Sequence, residues 1–148
     1  RRLPEDPRLL PALEDAIRRA SGAGCRRFLC GGALGFDTLA AQTLLRLREQ
    51  EKLRLCLVLP SGDRAGLAQA DQETYWEILR QADEWEFLQG DYTPGCMLRR
   101  NRVMASRSGR GLFLWDGRNS GGTAYTLRYF RLLGEARPVL WENLWPPR

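Results

Sequence analysis

Histidine is absent from the 148 residues, and lysine occurs once, as Lys52. Without imidazole there is no histidine general base, and a zinc site would need an unusual ligand set. The four cysteines, Cys25, Cys30, Cys56 and Cys96, form no CxxC spacing. Three of them lie in or beside strand-like runs, the pattern of small buried residues in a reducing cytosol, so neither a metal site nor redox catalysis is expected. No apolar run approaches the roughly 20 residues that span a bilayer, which predicts a cytoplasmic chain with no membrane partner. No secretory leader shows, and because the chain opens on Arg1 rather than Met, sequence upstream of it is expected. Repeats, low-complexity tracts and internal linkers are lacking too.

What is present is ordinary for a globular protein: 43% hydrophobic and 28% charged residues. The length suits a single domain over residues 1–148 with one core. The formal charge is +5, and 22 of the 23 basic residues are arginine. Arginine is the planar, bidentate partner of phosphate and carboxylate, so this excess permits anionic ligands. It does not demand them, since scattered surface arginines or a GC-rich genome give the same bias.

Periodicity predicts alternating helices and strands. Asp6 to Ala20 is helical, with Asp6 as cap, Pro7 in the first turn, and Leu9, Leu10, Leu13 and Ile17 at helical spacing. A short strand follows at Cys25 to Cys30, then a helix from Phe36 to Gln50. Leu53 to Leu59 (LRLCLVL) is the clearest buried strand, ended by Pro60. A helix over Gln69 to Gln81, a strand over Trp85 to Leu88, and a helix over Cys96 to Ser106 come next. Arg110 to Trp115 is a strand, Gly121 to Leu133 a helix, and Pro138 to Trp141 a closing strand. This order predicts an α/β fold: a Rossmann-like, doubly wound, mainly parallel sheet with helices on both faces. A doubly wound unit normally begins with a strand, whereas this chain begins with a helix. Either the first strand lies ahead of Arg1 or the sheet starts at Cys25.

Two glycine-rich turns each fall between a strand and a helix: CGGALGFD, with Gly31, Gly32 and Gly35, and SGGTAY, with Gly121, Gly122 and Thr123. In open α/β sheets ligands bind at the carboxyl ends of the strands, where helices begin. Unpaired N–H groups and the positive helix end make phosphate the natural occupant. Tight packing alone also favours glycine there, but two such turns are harder to explain so. Neither turn is a Walker A loop or a GxGxxG fingerprint.

The segment GCMLRRNRVMASRSGR adds a basic helix in which Arg100 shares a face with Met97 and Met104. A guanidinium beside an apolar stripe needs an anion or acceptor, which marks Arg100 and Asn101 as candidates. Arg99 and Arg107 read as a solvated face. Asp37, at a helix start, either favours the dipole or bonds a ribose hydroxyl. Asp116, at a strand end, has the same two readings.

Taken together, CGGALGFDTLAA, LVLPSGD, YTPGCMLRRNRVM and SGGTAYTLRY resemble the YpsA-type branch of the SLOG superfamily, from about Phe28 to about Tyr129. The resemblance implies a Rossmann-like fold shared with the LONELY GUY phosphoribohydrolases, the molybdenum cofactor carrier proteins and the DNA-processing protein A fold. It further implies binding or sensing of a nucleotide-derived ligand in the bacterial cytoplasm, with a role linked to cell division or stress. Gly121, Gly122 and Thr123 match the phosphate-cradling turn of these relatives. Arg100 matches the arginine of the hydrolases' M-x-x-R-K motif, with Asn101 in place of the lysine. The hydrolases' glutamate pair is replaced by TAYTLRY, which removes their acid unless Asp37 or Asp116 substitutes. YpsA relatives begin with a strand ending in a TGHR-like motif beside the site, and this chain starts after it. Their loop after the second strand carries a glutamine and a tryptophan where this chain has Asp63, Arg64 and Leu67.

The expected function is therefore binding of an adenine nucleotide, ADP-ribose or a related ligand, with no cofactor required and no metal. Tyr92 or Tyr125 would stack on the base or pack in the core. The first alternative is a nucleotide phosphoribohydrolase using Arg100, Asp37 and Asp116. The second is single-stranded nucleic acid binding, disfavoured because the basic segment has no interleaved aromatics. Trp141 and Trp145 either anchor a homo-oligomer or cap the core.

Overall fold

In the computed structural model, which describes residues 3–63 and 69–147, five helices alternate with five strands. Helix α1 (Leu9–Gly22) buries Leu9, Leu13, Ala16, Ile17 and Ala20, a stripe at helical spacing, and leads into β1 (Arg27–Cys30). Helix α2 (Phe36–Glu51) follows, then β2 (Arg54–Leu59), α3 (Gln69–Gln81) and β3 (Glu84–Phe87). The remaining elements are α4 (Cys96–Ser106), β4 (Arg110–Phe113), α5 (Gly122–Leu133) and β5 (Leu140–Asn143). All strand pairings are parallel, giving the α/β, Rossmann-like architecture the alternation predicts.

Strand β2 is central: from Leu55 to Leu59 every residue is buried, as a strand covered on both faces must be. Its neighbours are β1, with Arg27 opposite Arg54, and β3, with Cys56 opposite Glu84. Across these three strands the Glu84 carboxylate receives Arg27 Nε at 3.2 Å and the Cys56 thiol at 3.1 Å. Leu13, Ile17, Leu44, Leu47, Leu55, Leu57 and Ile78 form the main core between sheet and helices.

Several local expectations shift. Arg8, not Asp6, occupies the N-cap position of α1. Asp6 instead accepts the Arg8 N–H at 2.9 Å and pairs with its guanidinium, closing the turn that contains Pro7. The helix runs on through Ser21 and Gly22, because the Ser21 hydroxyl bonds the Glu51 carbonyl and anchors the last turn. Strand β5 starts later than expected, at Leu140, whose N–H bonds the Gly109 carbonyl; Pro138 has no N–H to give the ladder. Arg64 and Leu67, singled out in the loop after Pro60, lie outside the described residues.

One difference concerns the sheet itself. β4 and β5 pair with each other, but β4 does not bond to β1, so the strands form a group of three and a group of two. A cavity of about 280 Å³ lies between Arg27–Cys30 on one side and Arg110–Phe113 on the other. The continuous sheet expected from the alternation is thus interrupted, with β1 and β4 as facing edges.

Candidate functional site

Helix α4 joins the two glycine turns. Arg100 is buried, 2% exposed, and its Nη1 donates to the Gly31 carbonyl of the first turn. Its Nε donates to Asn101 Oδ1 at 2.7 Å. Asn101 in turn lies beside the second turn: a Cβ built on Gly122 would stand 4.0 Å from Asn101 Nδ2. Gly31, Arg100 and Asn101 therefore form one chain of hydrogen bonds that ends near Gly122. The remaining nitrogen, Nη2 of Arg100, makes no hydrogen bond among the described residues. A buried guanidinium donor with nothing to bond is costly, and an anionic or carbonyl acceptor would relieve it.

Gly31 is required by space. A Cβ there would come within 2.5 Å of Arg100 Cζ, so any side chain would expel the guanidinium. Gly32 and Gly35, in the same turn, both have positive φ, and Gly35 is the N-cap of α2. Asp37 lies in the first turn of α2 and accepts the Ala33 N–H at 3.2 Å. Burial pushes the Asp37 carboxyl above its ordinary value, opposed by the nearby Arg100 charge and by the Ala33 N–H. Burial likewise pulls the Arg100 guanidinium down, opposed mainly by Asp37. The guanidinium keeps its charge near neutral pH, as arginine does in proteins.

The second turn is open. Gly121, the N-cap of α5, has φ 100° and ψ 168° and no side-chain cap, and no acidic residue occupies the first turn. Gly121 and Gly122 are exposed and Thr123 is half-buried, so the leading N–H groups and positive end of α5 carry no internal anion. Thr126, one turn on, donates its hydroxyl to the Gly122 carbonyl at 2.7 Å.

The other candidates are placed differently. Asp116 accepts the Arg118 N–H at 3.1 Å and pairs with Arg118 Nε at 3.1 Å, so its carboxylate serves its own turn. Tyr92 is exposed before α4, and Tyr125 is half-buried on α5. Arg107 pairs with Glu86 on the surface. Trp141 lies 5.6 Å beneath the Arg131 guanidinium and keeps much of its surface. Cys30, Cys56 and Cys96 are buried and all four cysteines are free. Among the described residues, no group of His, Cys, Asp or Glu is arranged to hold a metal ion, and no helix is long and apolar enough to cross a membrane.

Sequence reasoning did not anticipate two features. The cavity between β1 and β4 reaches Asp37, Asn101 and Thr126, so it opens beside the glycine turns. A broad surface groove of about 780 Å³ also runs between α2 and α3, past Arg46, Trp76 and Arg80. Its only signal was an exposed tryptophan on a helix.

Comparison with curated proteins gives no match. Among solved structures, one of (E)-4-hydroxy-3-methyl-but-2-enyl diphosphate reductase, the terminal enzyme of the non-mevalonate pathway, is similar at 14% identity and a TM-score of 0.23. That alignment covers 95% of this chain and 54% of the other, so the chain spans about half that protein's length, and a score this low carries no argument. A family model is more informative. It carries the description YspA SLOG family, matches residues 7–138, and so includes both glycine turns and all of α4; the chain belongs to this family, YpsA.

Proposed function

We propose that the chain binds a nucleotide-derived ligand, an adenine nucleotide or an ADP-ribose-like molecule, across the two glycine turns. Family membership suggests nucleotide-related ligand binding or processing in general. The finer reading is carried by one observation: Arg100 bonds the first turn, bonds the residue near the second, and has no hydrogen bond from Nη2 among the described residues, in a buried position. A phosphate at the uncapped start of α5 would meet the leading N–H groups of Gly122 and Thr123, with Asn101 alongside. Ribose hydroxyls would fall to Asp37.

Binding without turnover is favoured over N-glycosidic cleavage. Cleavage needs an ionised carboxylate to stabilise a developing positive charge. Asp37 is a carboxylate whose charge interacts with Arg100, and burial disfavours its ionised form. Asp116 is already engaged by Arg118.

A thermal-shift panel tests the proposal, with AMP, ADP, ATP, NAD, ADP-ribose, cyclic dinucleotides and a short single-stranded oligonucleotide. It is run on the parent chain, Arg100→Ala and Gly122→Asp. A ligand at 100 times its Kd stabilises by about 2.7 kcal/mol, a shift of several degrees at this size. The expected result is stabilisation of the parent by a nucleotide and of neither variant. Gly122→Asp is the cleaner test because that residue is exposed and its change spares the core. Stabilisation by the oligonucleotide alone, or by nothing, overturns the proposal.

A further inference from the structure

Charge is spread unevenly along this chain. From Tyr92 to Gly134 there are eight arginines and one acid, Asp116, an excess of seven against +5 for all 148 residues. That one acid is held by Arg118. Helices α4 and α5 contain no acidic residue and pack against each other. They run parallel: Asn101 lies by Gly122 near one end, and the Ser106 and Tyr129 hydroxyls share a hydrogen bond of 3.1 Å nearer the other. Their common outer surface is therefore a basic face, and it lies away from the side of α4 that buries Arg100.

Two stripes run along that face. On α4, Leu98, Arg102 and Ser106 follow one another at one-turn spacing with Arg99 beside them, and all four are exposed. On α5, Tyr125, Tyr129 and Leu132 stand at i, i+4 and i+7; the tyrosines are half-buried and Leu132 is 60% exposed. Arg99 and Arg102 make no ion pair or hydrogen bond among the described residues, whereas Arg107, just past the helix, is taken by Glu86. The two free arginines repel each other across one helical turn, and they border a shallow recess of about 400 Å³ whose lining includes Val103 and Tyr129.

We propose that this face is a docking site for an acidic amphipathic helix of another protein. Carboxylates of that helix pair with Arg99 and Arg102, and its apolar side covers Leu98, Tyr129 and Leu132. Charge complementarity sets the sign of the partner: an acid-free surface with two uncommitted guanidinium groups attracts carboxylates and repels basic partners. The leucines set its class. A nucleic-acid strand needs a positive groove with ring faces on which bases stack. Here the recess is shallow, Tyr129 is half-buried with its hydroxyl tied to Ser106, and the most exposed apolar side chain of the face is the aliphatic Leu132. Arg99 and Arg102 face outward where Arg100 faces in, so the proposal stands independently of what ligand the glycine turns hold.

The probe is a fluorescein-labelled synthetic peptide of about 18 residues, long enough to hold a helix, with leucine along one face and glutamate beside it. Control peptides carry glutamine or lysine in place of glutamate, and an oligothymidylate of the same charge represents nucleic acid. Binding is read by fluorescence anisotropy near physiological ionic strength, with sedimentation reporting the oligomeric state. The proteins are the parent chain, the double variant Arg99→Glu, Arg102→Glu, and Leu132→Ser; all three altered residues are exposed, and thermal melts check that each variant folds. The expected result is saturable binding of the glutamate peptide, weakened at least about tenfold by the glutamine replacement or the double reversal, and about threefold or more by Leu132→Ser. The reversed chain should bind the lysine peptide instead. Three results overturn the proposal. The glutamate peptide could fail to bind, or bind all three chains alike. The oligothymidylate could bind more tightly through the same arginines, which would make a nucleic acid the occupant. The chain could self-associate through Arg99 and Arg102, which would make a second copy the occupant.

Discussion

Two adjacent glycines in the second turn should respond to alanine in opposite directions. Gly121 has φ 100° and ψ 168°, a region open essentially to glycine alone, while a Cβ there would meet nothing within 4 Å. The cost of Gly121→Ala is therefore backbone strain without any clash, about 2 kcal/mol within a range of about 1–3. At this chain length that lowers Tm by about 4–8 °C. Gly122 opens α5 without a positive φ, and its nearest neighbour to a new Cβ is Asn101 Nδ2 at 4.0 Å. Gly122→Ala restricts the unfolded chain and should stabilise by about 0.4–1 kcal/mol, or about 1–4 °C. Yet its methyl projects beside Asn101, where the phosphate is placed, so nucleotide affinity should fall at least about tenfold, about 1.4 kcal/mol. Paired melts and titration with the ligand found in the panel separate the two effects. If both variants move Tm the same way, the backbone argument is wrong. If Gly122→Ala is stabilised and binds as the parent does, the turn is not the phosphate site.

The Asp37 carboxyl is held above its ordinary value of 3.8, chiefly by burial. The folded state thus binds that proton more tightly than the unfolded state, a contribution complete below pH 3.8 and lost as pH rises through the folded value. Ionising the buried carboxyl is a net cost, so the parent should lose stability more steeply than Asp37→Asn as pH rises above 3.8, measured by urea melts at a series of pH values. Burial, with the Glu84 bond and charge, pushes the Cys56 thiol up to about 11, and burial raises Cys30 further still. At pH 8 only about one Cys56 in a thousand is thiolate, so both should resist iodoacetamide until urea unfolds the chain; rapid labelling of the folded protein in a mass spectrum would contradict this. Arg137 Nη2 caps the end of α4 by donating to the Ala105 carbonyl at 2.9 Å, so Arg137→Ala should cost about 1 kcal/mol in a urea melt, whereas no loss would make the cap incidental.

Much of the architecture was legible in one dimension because it depends on local pattern. Helical spacing of Leu9, Leu13 and Ile17, the unbroken apolar run of β2, and glycines at strand ends all speak through neighbours in sequence. The span of α3 and that of α4 were read as they stand in the fold. The start of α1 was missed, because Asp6 and Arg8 satisfy each other and use the cap one turn early. Within the site, the motif pointed to Arg100 and to both turns, but not to how they meet.

What the sequence by itself determined is the order of elements, the parallel α/β class, and the short motifs that mark the family. These follow from residue types and spacings of a few positions. Only the tertiary structure decided that Gly31 is small to admit a guanidinium from 69 residues away, and that Asp116 is spent on its own turn. It alone decided, too, that β1 and β4 face each other unpaired. The first and third depend on which distant segments meet, and apolar periodicity says that a strand is buried without saying against what; the Asp116–Arg118 pairing is local, set by how the backbone turns after β4.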